Sequence, residues 1–131
     1  MRANLILLIL ISILWSLNLY AHGEGQLGPH QGIIRMPGPF HVEVVSGGSN
    51  EFKVYLIDLE FKNPTIEDST VNAYWYRGKK FKQLICKTET DHFTCVSKIS
   101  FQKKDKIEIR SKRKGISGNF ADYEYPFKVK R

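Results

Sequence analysis

The sequence predicts an all-β protein: an immunoglobulin-like β-sandwich of about seven strands that follows an N-terminal signal peptide. Three observations carry this reading. Short apolar runs alternate with period two. Clusters of Gly, Ser, Asn and Pro punctuate them. No helical periodicity is found beyond the first 21 residues. A chain of 131 residues holds one such domain and not two.

Residues 1–21 contain Arg2, then the apolar run Leu5–Trp15, then a more polar end closing on Ala21. That order is the n-, h- and c-region order of a secretory leader. Cleavage after Ala21 makes His22 the first residue of the mature chain. The stretch from Leu5 to Ala21 also approaches the minimum length of a membrane span, so an uncleaved anchor is the competing reading. Residues 22–38 are rich in His, Gly and Pro and read as a shaped loop, with residues 39–131 forming the sandwich.

Phe40–Val45 and Glu51–Glu60 alternate on either side of the turn Ser46–Asn50 and predict a hairpin. The second run is apolar on both faces: Phe52, Val54 and Leu56 on one, Tyr55, Ile57 and Leu59 on the other. This predicts a central strand. Thr70–Arg77 and Phe81–Cys86 flank a Gly-Lys turn, and Phe93–Ile99 follows. Lys106–Lys112 alternates Ile107 and Ile109 with charges, and Tyr123–Val129 closes the domain.

Cys86 and Cys95 are the two cysteines, and in an exported chain they predict one disulfide across a short hairpin. They are too close in sequence to join two sheets as in antibody domains. The formal charge is +7. The excess is concentrated late, from Lys103 to Arg131, which suits an acidic partner or simply a solvated strand face. No nucleic-acid motif is visible. No GxSxG, HExxH or phosphate-cradling glycine loop occurs, and paired cysteines make poor nucleophiles, so the expectation is a non-enzyme.

Three of the four histidines fall within residues 22–41. A mature N-terminal His22 offers an amine and an imidazole to one metal ion, a pairing that suits Cu(II). His30 and His41 are the further candidate ligands, and Met36 is a soft thioether suited to Cu(I). Asp58 or Glu24 could add oxygen. Each residue also has an ordinary reading. His30 is then a turn residue, His41 a surface-facing strand residue beside Glu43, Met36 core filler, and His92 a turn residue in the disulfide loop.

The stretches Gly28-Pro-His-Gln-Gly32, Pro39-Phe-His-Val-Glu43 and Val54-Tyr-Leu-Ile-Asp58 resemble a pattern of small exported proteins and domains linked to bacterial heavy-metal efflux. Their recurrent form is a Gly-Pro-His-Gly-Gly turn, a His-x-Glu strand and a strand ending in Tyr-Leu-x-Asp. The likeness covers residues 22 to about 60. It implies a small β-sandwich that handles copper or another transition metal, and it carries over to His30, His41, Glu43 and Asp58. Gln31 stands where the pattern has the first of its paired glycines. A looser likeness, to periplasmic copper carriers of the copper-resistance type, rests on His22 alone.

The expectation is therefore a periplasmic or secreted, soluble copper-binding carrier or buffer with His22, His30, His41 and Met36 as ligands. Its partner would be a metal-efflux or envelope protein. It would have no nucleic-acid partner and no membrane span after cleavage. The alternative is a non-enzymatic periplasmic interaction domain with a basic surface and no metal.

Overall fold

The computed structural model describes residues 26–129. The leader, His22 and Glu24 lie outside that range. Ten strands form: β1 Ile33–Gly38, β2 Phe40–Ser46, β3 Glu51–Ile57, β4 Thr70–Arg77, β5 Lys80–Gln83, β6 Ile85–Thr88, β7 Phe93–Val96, β8 Lys106–Arg113, β9 Ile116–Ser117 and β10 Ala121–Glu124. They make two antiparallel sheets, ordered β1-β2-β3-β7-β6 and β10-β8-β4-β5, with β9 attached to β8. The predicted all-β sandwich is the observed architecture. No helix of the described residues is long and apolar enough to cross a membrane.

Period-two alternation places Phe40, Val42 and Val44 of β2 and Phe52, Val54 and Leu56 of β3 on the inner face of the first sheet. Val71, Ala73 and Trp75 of β4 meet them from the second sheet, with Ile107 and Ile109 of β8. The Tyr123 hydroxyl, on β10, donates to the Val42 carbonyl at 2.8 Å and ties the two sheets across this core. β3 lies third of five strands, in the central position its two apolar faces predict.

The strand count rises from seven to ten through β1, the division of one predicted strand, and the two-residue β9, which pairs with β8 inside the expected loop Gly115–Asn119. The loop expected through residue 38 contains β1. Ile33 and Ile34 are both buried, Ile33 in the main core and Ile34 in a smaller cluster with Tyr55 and Ile57. β1 is an edge strand, where Pro37 costs no ladder bond, and a register break follows Arg35. The expected single strand Phe81–Cys86 is two strands in different sheets. Leu84 divides them: it is buried, and its N–H donates to the Ala73 carbonyl at 2.9 Å. The chain crosses from one sheet to the other there. The closing strand ends at Glu124, short of the predicted Val129.

The predicted disulfide forms. Cys86 and Cys95 are direct cross-strand partners on β6 and β7, within one sheet and not between two. Such a bond persists where the surroundings do not reduce it.

Candidate functional site

The outer face of the first sheet is not open to solvent. β2 directs His41 and Glu43 to that face, and both are 0% exposed. The expectation that His41 faces solvent beside Glu43 is therefore corrected. Alternation fixes which side a strand residue points to but not what covers that side. Here two loops cover it, residues 28–32 over Glu43 and residues 58–62 over His41.

Register builds the site. Glu43 of β2 lies opposite Ile34 of β1 and opposite Tyr55 of β3. Val54 pairs with Phe93, so Tyr55 and His92, one step beyond, come side by side. Their ring centroids are 4.8 Å apart. His30 lies over this row. Its imidazole stacks on Tyr55 at 3.7 Å, with an angle of 8° between the planes.

Glu43 pins the loop from beneath. Its Oε1 accepts the N–H groups of His30 at 2.8 Å and Gly32 at 2.9 Å. Its Oε2 lies 2.7 Å from His30 Nδ1. An ionised carboxylate only accepts, so Nδ1 carries the hydrogen and Nε2 of a neutral ring keeps its lone pair. The His30 side chain is 33% exposed over a fully buried Glu43 side chain. This is the arrangement in which a carboxylate orients a histidine and raises its basicity towards a ligand.

The loop can lie this close because of its glycines. A Cβ on Gly28 would collide with the Glu43 carboxylate and with Ile34, and one on Gly32 would sit 2.5 Å from the Val44 carbonyl oxygen. Gln31 closes the turn with φ of 62°, the left-handed conformation that glycine adopts without steric penalty. Gln31→Gly is expected to raise stability by roughly 0.5–1 kcal/mol, the left-handed penalty less the greater chain entropy that glycine loses on folding, read as a higher midpoint in urea unfolding with an unchanged slope.

Around Tyr55 the charges are negative. Burial first, then the nearby carboxylates of Asp91 and Glu43, push its phenol above the usual tyrosine range. His92 Nδ1 is 2.8 Å from Asp91 Oδ1. His92 thus belongs to this cluster and is more than a turn residue.

His41 forms a separate stack. Its Nδ1 is 2.9 Å from the Asp58 carbonyl oxygen, and its ring packs on Phe61 at 4.3 Å. The Asp58 carboxylate braces its own loop. Oδ1 accepts the Glu60 and Lys62 N–H groups, and Oδ2 accepts the Asn63 amide. These bonds, led by that of Lys62, hold its carboxyl below the ordinary aspartate range. Met36 is exposed on edge strand β1, so its reading as core filler does not hold.

His30 and His41 are therefore engaged by different partners, in different stacks. Among the described residues, no group of three or more His, Cys, Asp and Glu side chains is placed to hold a metal ion.

No family model, curated protein or solved structure matches this chain.

Tyr55 and His92 are the members of the site that sequence reading did not select. Alternation places Tyr55 and Glu43 each in the outward set of its strand, but their pairing is set by the register between β2 and β3.

Proposed function

We propose that the protein is an exported, non-catalytic β-sandwich that binds a transition metal, copper first among the candidates, and carries or buffers it in the periplasm or outside the cell. The observation that carries the reading is the buried Glu43 carboxylate on His30 Nδ1, which leaves Nε2 as the donor nitrogen. His30 is the ligand held by the fold. His22 is its proposed companion, through amine and imidazole, if the leader is removed after Ala21. His41 and Met36 remain lesser candidates, because His41 is enclosed and its Nδ1 is on the Asp58 carbonyl. A metal-efflux or envelope protein is the proposed recipient.

Titration of the exported protein with Cu(II), with its N-terminus fixed by mass spectrometry, tests this. Saturable binding of one equivalent is expected. His30→Ala should weaken it at least tenfold, and Glu43→Gln by roughly 10-fold to 100-fold, as for other partners of a liganding histidine. Equal, weak binding by all three proteins would sink the proposal.

A further inference from the structure

The corner at Leu84 brings two sheet edges together. β5 ends the second sheet and β6 ends the first. Beside them is a groove of about 320 Å³, lined by Trp75, Leu84, Ile85, Val96 and Ile99 together with Lys82 and Lys98. It runs on along β5 into a second depression that shares Trp75, Lys82 and Ile99 and adds Arg77, Lys80 and Phe81.

Three properties set this region apart. Four of the nine large hydrophobic side chains exposed among the described residues lie here: Phe81 at 63%, Ile85 at 58%, Val96 and Ile99. No Asp or Glu lines either depression, whereas Lys80, Lys82, Lys98 and Arg77 do. Among the described residues, none of those three lysines is in an ion pair. The late cations, by contrast, are partly committed: Arg110 to Glu108, and Arg113 to the carbonyls of Leu56 and Asn63.

We infer that the β5 edge is a docking site for an acidic, extended peptide segment of a partner protein, which adds to the second sheet as an extra strand. An edge strand presents unpaired backbone donors and acceptors, and affinity for an added strand comes from those bonds. Side-chain alternation then sets the preference. Lys82 lies opposite Trp75, and Phe81 lies opposite Tyr76. An incoming strand beside β5 therefore neighbours Lys80 and Lys82 on one face and Phe81 on the other, with Trp75 and Tyr76 one strand further in and Trp75 only 2% exposed. Apolar side chains fit against Phe81 and carboxylates fit beside Lys80 and Lys82. A second copy of this chain is a poor occupant, because its own β5 would bring Lys80 and Lys82 against the same lysines.

The test uses the full mature protein and three synthetic octapeptides: one alternating Glu with Val and Phe, the same peptide with Lys for Glu, and the acidic peptide N-methylated on alternate residues. Anionic phosphatidylserine vesicles form a fourth arm. Binding is followed by amide shifts in NMR. Saturable binding of the acidic peptide is expected, with shifts centred on residues 80–85 and 97–100. The double variant Lys80→Glu, Lys82→Glu, exposed at both positions, should weaken it at least tenfold. N-methylation should weaken it by a similar factor. Equal binding of the acidic and basic peptides, equal binding by the double variant, indifference to N-methylation, shifts centred elsewhere, or binding to the vesicles alone would each overturn the inference.

Discussion

Glu43→Ala is expected to destabilise the protein by roughly 2–4 kcal/mol, the scale for removing a buried carboxylate that accepts several hydrogen bonds and leaving its donors unmet. The carboxylate accepts from two backbone N–H groups and from His30 Nδ1. Removing it leaves the Gly32 N–H buried without its acceptor, and a buried donor left unmet costs about 1–3 kcal/mol by itself. Alanine also leaves a space beneath Gly28 that the loop cannot fill without giving up its turn. The midpoint of urea unfolding should fall, and the His30 ring should leave Tyr55, visible as a shift of the Tyr55 ring protons in NMR. Glu43→Gln is the informative companion. Its amide oxygen can still accept from the backbone, but its amide nitrogen donates where the carboxylate accepted, which forces the other His30 tautomer. An intermediate loss of stability with Tyr55 still stacked is expected for it. A loss no larger than that of an ordinary surface substitution in Glu43→Ala would show that the loop is held by packing alone.

Asp105→Ala is the second large effect, at about 3 kcal/mol. Asp105 precedes β8 and is buried. It accepts Trp75 Nε1 at 2.8 Å, Arg77 through Nε and a second guanidinium nitrogen, and the Gln102 N–H. Arg77 in turn lies over the Trp75 ring at 4.8 Å. Burial alone would raise the Asp105 carboxyl. Its bonds from Arg77, Trp75 and Gln102 outweigh that and hold it at about 2, against an ordinary value of 3.8. A carboxyl depressed in the folded state contributes stability that is fully present above its unfolded value. That stability is lost as the pH falls from about 4 through about 2. The depression corresponds to roughly 2 kcal/mol. Wild-type unfolding free energy should therefore drop across this window, and Asp105→Asn should flatten that part of the profile. An unchanged acid limb in Asp105→Asn would assign the loss to other carboxylates.

The strands of the inner core were legible because each writes its alternation directly. Thr70–Arg77 and Lys106–Arg113 match the predicted runs within one residue. The less legible parts share a physical cause, a dependence on what lies across a gap in sequence. Ile33 and Ile34, adjacent and both apolar, look like neither face of a strand until a second cluster receives Ile34. Leu84 continues the Phe81–Cys86 run in sequence, and only its bond to the Ala73 carbonyl turns it into a corner. In the candidate site, His30 stood out by residue type within a histidine-rich stretch, whereas Glu43 entered only through the resemblance of that stretch to metal-efflux proteins. Tyr55 and His92 join them through strand register, which one chain read in isolation does not state. Asp105 was hidden for the same reason: its partners Trp75 and Arg77 are 30 and 28 residues away.

The corner at Leu84 also sets how the sandwich can come apart locally. β5 and β6 are consecutive, so they form one hinged flap with Leu84 as its pin, yet their two halves are held differently. β6 is stapled to β7 by the Cys86–Cys95 bond. β5 carries no cross-link and is held by its four-residue pairing with β4 and the stack of Phe81 on Tyr76. Opening that begins at the Gly78–Lys79 turn is therefore expected to free β5 before β6, with the first sheet still closed by the staple. The two halves of one flap belong to different stability classes, and the less stable half is the one whose outer edge is available to a partner.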